Sequence, residues 1–378
     1  MSKRPSVVFI ADAHLRESAW VGRPILGDAF HALNQAITWS IEHEVDCVMG
    51  LGDLIDRQLN RSWPIAQWYG ELDRLKAAGI QFHFIQGQHD MDDPPWLSVH
   101  PAASHAHRRV VNGGDFDIYS FDYASSETIG IELELSASSG ASILCVHQVI
   151  GDFMGDLANP QMSVDDVPDC FRKLFFGDLH KTFHRRFPSK DLTAISPGSM
   201  CMQSIDEPVE KSFVVMDAGG GIHRVPLKSR QVFRSEVLTS AEMIDRFVST
   251  DLPAALARCE EAAAGLPDSL KLPLVRVSYD PEIDDVRSRV EEIYRGKAHF
   301  FWKEELSPAD DEARSVSAPR RGEAATLLSC LAEAAGDDEE VVALASRVLS
   351  SRNPIDELSL WEQEIVESTE SEEDYANM

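Results

Sequence analysis

Five short motifs in the first half of the chain carry side chains able to hold divalent metal ions. In order they are Asp12-Ala13-His14, Gly52-Asp53-Leu54-Ile55-Asp56-Arg57, Gly87-Gln88-His89-Asp90, Val146-His147-Gln148 and Gly177-Asp178-Leu179-His180. Each supplies Asp, His or an amide just after an apolar run. Hard oxygen and borderline nitrogen donors gathered at strand ends are what a pair of divalent ions needs. Asp12 and His14 are two residues apart, so both side chains point the same way from an extended segment. Asp53 has two oxygens with which to bridge two ions, and His147, Asp178 and His180 complete two ligand shells. Two ions about 3.5–4 Å apart can hold a phosphate diester, activate a water and stabilise the leaving oxygen. His89 stands beside this set and fits a proton donor to the leaving group or a contact to the phosphate. Singly, each motif has an ordinary explanation: a turn, a cap or a hydrogen-bonded core histidine. Five of them in order weigh against coincidence.

The elements that must position these residues follow a simple pattern. Val7–Ile10 reads as a strand, residues 28–44 as an amphipathic helix, Asp46–Leu51 as a second strand, Trp63–Ala78 as a second helix stopped by Gly79, and Ile80–Ile85 as a third strand. This βαβαβ series is the pattern of a sheet covered by helices. From 115 to 147 the sequence reads as short alternating strands, DFDIYSFDY, TIGIELEL and SILCVH. Further strands are expected at Leu174–Phe176 and Thr193–Ile195, with a hairpin in SFVVMDAGGGIHRVPL turning at Gly219-Gly220-Gly221. The chain leaves this first domain around Ser229–Ser240. Residues 240–300 read as helix, helix, strand (Leu274–Tyr279), helix, strand, a small α+β unit. Residues 307–322 read as a polar linker, and 323–350 as one or two helices before an acidic end. The expected domains are 1–230, 231–305 and 306–378.

The 378 residues carry a formal net charge of −28, which speaks against a broad nucleic-acid-binding surface. From Leu306 to Met378 there are 18 acidic and 5 basic residues, so a net −13 lies in that segment. Bound cations would partly neutralise the carboxylates of the motifs. The six cysteines, Cys47, Cys145, Cys170, Cys201, Cys259 and Cys330, form no Cys-x-x-Cys pair, which argues for a reducing compartment and against a thiolate zinc site. No apolar run approaches membrane-spanning length, and the N-terminus leads straight into a strand. No membrane association and no targeting segment are expected.

These residues resemble the calcineurin-like metallophosphoesterases, and among them the nuclease subunit of SbcCD-type double-strand-break repair complexes. The resemblance runs strongly over residues 5–230 and loosely over 231–303. It rests on Asp12, His14, Asp53, His89, His147 and His180, on the layout from Gly52 to Asp90, and on the Ser196-Pro197-Gly198-Ser199 loop. It implies an α/β (α+β) fold: a two-sheet β-sandwich flanked by helices, a small α+β capping domain that helps hold DNA, and a helical C-terminal tail. It implies a first metal on Asp12, His14, Asp53 and His180, and a second on Asp53, His147, Gln88 and Asp178. His89 would be the catalytic histidine, with Asp56 in the same catalytic set. Two departures fall on the second metal: the family usually has Asn at Gln88 and His at Asp178.

The expected function is a two-metal DNA nuclease, using manganese, with magnesium as the alternative. Arg57, Arg61, Lys181, His184 and Arg185 are the expected DNA contacts. Partners implied are DNA ends or single strands, a second copy of the chain, and an SMC-like ATPase. The ATPase would be held by an apolar stripe of Leu327, Leu328, Leu331, Val341, Val342, Leu344, Ala345 and Val348. The expected setting is the cytoplasm of a bacterial or phage-infected cell, near the nucleoid. Two rivals stand: a phosphoesterase for a small phosphate ester or nucleotide, and a catalytically weakened scaffold of the same fold, which Gln88 and Asp178 would permit.

Overall fold

Strand β1 (Pro5–Ile10) shows how the sequence builds the layers. Val8 and Ile10 pack toward helices, whereas Val7 and Phe9 pack into the space between two sheets. A strand covered on both faces must be apolar at every position, and this one nearly is. The same alternation recurs in β2 (Cys47–Leu51) and β3 (Gln81–Ile85). In the computed structural model the described residues are 4–16, 25–56, 62–153, 160–281 and 286–305.

The first six-stranded sheet runs β12-β11-β1-β2-β3-β4, where β4 is Ala103–His105, β11 is Lys211–Asp217 and β12 is Ile222–Leu227. Strands β1 to β4 are parallel, and β11 and β12 add an antiparallel hairpin. The second sheet runs β5-β6-β7-β8-β10-β9, with β5 Arg109–Asn112, β6 Asp117–Ser120, β7 Ile143–His147, β8 Lys173–Gly177, β9 Phe183–Phe187 and β10 Leu192–Ser196. Its centre, β6-β7-β8-β10, is parallel. The sheets face each other across Phe9 and Phe175, whose rings stack with centroids 3.7 Å apart. Helix α1 (Asp28–Glu42) buries Ala29, Ala32, Leu33, Ala36, Ile37 and Ser40, one face at helical spacing, and with α2 (Ser62–Ala77) covers the first sheet.

The expected two-sheet sandwich flanked by helices is therefore the observed fold. One segment differs. TIGIELEL, expected as a strand, is helix α3 (Ile129–Ala137). Ile129, Glu132, Leu133 and Ser136 are buried, at i, i+3, i+4 and i+7, while Ile131 and Leu135 face solvent. The Glu/Leu alternation imitates a strand, but both residues are strong helix formers, and the buried Glu132 carboxylate accepts Arg108 Nη2 at 2.6 Å.

Beyond residue 230 a third sheet of three parallel strands runs β13-β14-β15, with β13 Val232–Leu238, β14 Leu274–Tyr279 and β15 His299–Glu304. Helices α4 (Ala241–Arg246), α5 (Leu252–Ala262) and α6 (Val286–Tyr294) accompany it, and Phe247, Leu252, Val275, Val277 and Val290 fill its core. Strand β13 fell in the region read as a boundary. The chain divides into two units, 1–305 and 306–378. The second, with the apolar stripe read over 323–349, lies outside the described residues. Among the described residues no helix is long and apolar enough to cross a membrane, and Cys47, Cys145, Cys170, Cys201 and Cys259 are free thiols.

Candidate metal centre

Parallel strands all end on one side, and here five of them deliver the motif residues to one place. Asp12 and His14 follow β1, Asp53 follows β2, Gln88 and His89 follow β3, His147 ends β7, and Asp178 and His180 follow β8. The loops are locked together by their main chain. Asp12 N donates to Gly52 O at 3.1 Å and His14 N to Asp53 O at 2.9 Å. The candidate ligands also serve as acceptors: Asp12 takes Asp178 N at 3.1 and 3.2 Å, and Asp53 Oδ1 takes His89 N at 2.8 Å.

This convergence bends the backbone. Asp12, His14, Asp53 and Asp178 all have positive φ, at 49°, 42°, 49° and 75°. Non-glycine residues rarely adopt such angles, and they persist where the surroundings over-determine them. Glycines make the room. A Cβ on Gly52 would lie 2.4 Å from His147 Nδ1, one on Gly87 2.1 Å from Asp53 Oδ1, and one on Gly177 2.5 Å from His147 Nδ1. The Gly-Asp and Gly-Gln-His-Asp motifs thus need glycine because His147 and Asp53 occupy the space a side chain would take.

The histidines are oriented for ligation. His147, fully buried, places Nδ1 2.6 Å from Leu51 O, so that nitrogen carries the hydrogen and Nε2 faces the carboxylates. Nε2 lies 3.2 Å from Asp53 Oδ2, 3.8 Å from Asp178 Oδ1 and 4.0 Å from Asp12 Oδ1. His180 Nε2 is 4.0 Å from Asp12 Oδ1, and His14 Nε2 is 3.7 Å from Asp53 Oδ2. The Nε2 atoms of His14 and His147 are buried and without hydrogen-bond geometry to any partner. A buried polar atom left in this state is costly unless something else occupies the space it faces. Among the described residues, three groups bring their donor atoms within 4.8 Å of one another: Asp12, His14 and His180; Asp12, Asp53 and His147; and His14, Asp56 and His89.

Titration behaviour reflects the crowding of carboxylates. Burial raises Asp12 to about 7 against the pull of His147 and His180. Burial pushes Asp53 upward, but His147 and His14 outweigh it and hold its carboxyl below the usual range. Burial lowers His14 to about 3. For His147 burial is again the largest influence and acts downward, yet Asp53, Asp12 and Asp178 together carry the imidazole up to about 10. A pocket that draws a proton onto its histidine so strongly is one that favours a cation. The donors are imidazole nitrogens and carboxylate oxygens with no thiolate, a set that fits hard to borderline divalent ions.

Residues 5–169 match the family model described as calcineurin-like phosphoesterase. The chain carries a calcineurin-like phosphoesterase domain. Among curated proteins, the chain is similar to the DNA double-strand break repair protein Mre11 of Methanosarcina acetivorans, 24% identical over 233 residues, covering 58% of this chain and 38% of that protein. It is also similar to Mre11 of Sulfurisphaera tokodaii, 26% identical over 196 residues, covering 48% of this chain and 50% of that protein. The match therefore spans half or less of the length of these relatives. Among solved structures, it is similar to a dimetal phosphatase from Danio rerio at 12% identity, covering 60% of this chain and 99% of that one, with a TM-score of 0.41.

Of the residues singled out in the sequence, Asp12, His14, Asp53, Asp56, His89, His147 and His180 converge. Gln88 and Asp178 stand at the rim and meet each other, the Gln88 side-chain amide donating to Asp178 Oδ1. Asp56 Oδ2 accepts from Arg16 Nη1 at 2.7 Å, while its Oδ1 is buried without a partner. His89 is half-buried, its ring 5.0 Å from that of His14 and edge-on to it. Lys181, His184 and Arg185 are exposed, the last two on the edge strand β9, where Arg185 lies over the Phe187 ring at 4.9 Å. Arg57 and Arg61 lie outside the described residues. The basic run at 105–109 is tied up locally: His105 Nε2 lies 2.9 Å from Asp122, and Arg108 pairs with Glu132.

Three supporting residues escaped the sequence reading. Asp90 closes the Gly-Gln-His-Asp motif, and its carboxylate accepts Gly87 N at 2.6 Å and Leu54 N at 2.7 Å, joining the two central loops. Its place in the motif was the available signal. Leu51 contributes only a main-chain oxygen, which no side-chain pattern reports. Glu207 accepts from His180 Nδ1 at 2.9 Å and sits in a polar stretch, Gln203–Glu210, without periodicity.

Proposed function

We propose that this chain is a metal-dependent phosphodiesterase that cleaves DNA. The observation that carries the reading is the meeting of Asp12, His14, Asp53, His147 and His180, with the buried Nε2 atoms of His14 and His147 facing carboxylates without hydrogen-bond geometry to any partner. Asp12, His14, Asp53 and His180 would hold one ion. Asp53 and His147, with Gln88 and Asp178 at the rim, would hold the other. Such a pair of ions supplies Lewis acidity at the phosphate and a water acidic enough to act as nucleophile near neutral pH.

The residues themselves divide the remaining work. Hydrolysis adds a water oxygen to phosphorus, breaks the ester bond to one sugar oxygen, and leaves that oxygen needing a proton. His89 is half-buried beside the ligands and is placed to deliver that proton. Asp56, anchored by Arg16, steadies the His14–His89 side of the site. The main-chain bonds that fix Asp12, His14 and Asp53 hold the ligand set in one geometry, so little reorganisation is required during reaction.

DNA as the substrate is supported by the similarity to the two Mre11 proteins and by the three-stranded sheet that follows the phosphoesterase domain, which we read as a cap. His184 and Arg185 would approach phosphates from β9, Lys181 from just before it, and Arg57 and Arg61 from the segment after Asp56. The segment 306–378 would bind an SMC-like ATPase. A small phosphate ester is the rival, favoured by the net charge of −28.

Manganese-dependent cleavage of a linear duplex, run beside a nitrophenyl phosphate ester and a measurement of metal per chain, tests this reading. The expected result is two ions per chain and cleavage of the duplex with manganese or magnesium, lost on chelation. Hydrolysis of the small ester alone would support the rival. No bound ions would refute the reading altogether. Deleting 307–378 should leave cleavage by the isolated chain intact and abolish copurification with a coexpressed ATPase.

A further inference from the structure

Glu207 lies 27 residues beyond His180, and its carboxylate is fully engaged. Oε1 accepts from His180 Nδ1 at 2.9 Å. Oε2 accepts from Lys211 Nζ at 2.7 Å, Ser199 Oγ at 3.1 Å and Gln203 N at 3.2 Å. Lys211 is only 3% exposed and also donates to Ser199 Oγ at 2.7 Å. The consequence for His180 is geometric. With Nδ1 donating to Glu207, the lone pair on Nε2 is turned toward Asp12. A carboxylate behind a metal-binding histidine fixes its tautomer and ring orientation and raises its basicity as a ligand.

The stretch that carries Glu207 is itself gripped from the three-stranded sheet. Arg234, on β13, donates through Nε to Ile205 O at 2.8 Å and through Nη2 to Glu207 O. Arg276, on β14, pairs with the Asp206 carboxylate. The same stretch reaches the other side of the site, because Gln203 Oε1 accepts from Arg16 Nη2 at 2.9 Å and Arg16 holds Asp56. The cap side is anchored in turn by Arg230, which is buried and bonded through two nitrogens to Asp28, and also to the main-chain oxygens of Leu26, Ser269 and Leu272.

We infer that Glu207 is a positioning residue for His180, and that Arg234 of the three-stranded sheet sets how firmly Glu207 holds it. The metal ligand and the cap are thereby coupled through residues 203–207: a shift of β13 moves the main chain of Glu207, and with it the hydrogen bond that aims His180. This inference rests on the reading of the site as a metal centre.

The test is manganese binding to the full chain, followed by electron paramagnetic resonance and calorimetry, in wild type and in Glu207→Ala, Glu207→Gln and Arg234→Ala. Wild type must first bind two ions; failure there refutes the metal-centre reading rather than this one. Glu207→Ala should weaken one site about 10- to 100-fold and leave the other unchanged. Glu207→Gln keeps an oxygen acceptor for His180 Nδ1 and should recover a large part of that loss, which a purely structural role of the charge would not produce. Arg234→Ala, which leaves the Glu207 carboxylate in place, should weaken the same site in the same direction by a smaller factor. Melting in chelator reports the change in metal-free stability separately. Unchanged affinity at both sites in Glu207→Ala, equal weakening of both, or wild-type binding in Arg234→Ala would each overturn the inference.

Discussion

The Gln88 side chain donates a hydrogen bond to Asp178, joining the loop after β3 to the loop after β8 across 90 residues of sequence. These are the two positions at which the chain departs from the pattern of the family it resembles, and they touch. Together they form a pair whose acceptor, Asp178 Oδ1, sits 3.8 Å from His147 Nε2. The pairing predicts non-additivity. Gln88→Asn shortens the stem and breaks the bond, and Asp178→His removes the carboxylate. A double-mutant cycle read by manganese affinity should show a coupling of about 0.5–3 kcal/mol, the range for residues in contact. Strictly additive losses would show that the bond has no bearing on the metal.

A second prediction separates chemistry from ligation. His89 lies beside His14 but is half-buried, and its main-chain nitrogen rather than its ring bonds to Asp53. His89→Ala should lower cleavage by about 10²- to 10⁴-fold, the usual contribution of a proton donor. Metal per chain should not change. A variant that loses an ion would place the ring among the ligands, and one with wild-type turnover would remove His89 from the reaction.

The strands and helices up to Ile85 were legible because each strand is buried on both faces and each helix shows one apolar stripe, so pattern and packing agree. The site was legible for a related reason. Its donors sit directly after those strands, and parallel strands ending on one side must bring them together. Helix α3 was not legible, because Ile131 and Leu135 are exposed and complete a false alternation. Asp90, Leu51 and Glu207 were missed for a different reason. They act by hydrogen bonds to main chain or to the back of an imidazole, and such bonds depend on three-dimensional approach, which spacing along the chain does not encode.

Glycine at position 52 offers a sharp local test. Its φ is +89°, and an added Cβ would fall 2.4 Å from His147 Nδ1 and 2.9 Å from Gly87 N. Gly52→Ala must therefore displace the imidazole and break its 2.6 Å bond to Leu51 O, besides about 1–2 kcal/mol of backbone strain. Manganese affinity at the His147 site should fall while the far-ultraviolet spectrum stays that of a folded protein. Gly70→Ala is the control: it sits in α2 with nothing within 4 Å of the added methyl, and should be neutral or stabilising by up to about 1 kcal/mol. Equal effects of the two substitutions would mean the cradle around His147 is not what glycine serves.

The last prediction concerns stability and pH away from the metal centre. His83, on β3, is buried, and neither ring nitrogen has a hydrogen-bond partner. Burial lowers its pKa from 6.5, so it stays neutral in the fold at pH values where the unfolded chain takes up a proton. The sign follows directly. Above pH 6.5 both states are neutral at this position and stability is independent of pH. As pH falls below 6.5 the unfolded state binds the proton first, and stability drops toward the folded pKa by up to about 1.4 kcal/mol per pH unit. Substituting His83→Leu removes that term and fills the same inter-sheet space with an apolar side chain. Urea unfolding in chelator should show the variant gaining on wild type as pH is lowered from 7.5 through 6.5 to 5.5, with little pH dependence of the difference above 6.5. A constant difference across that range would mean His83 is protonated or hydrated in the native protein, and that the interior between the sheets is wetter at this edge than its burial implies.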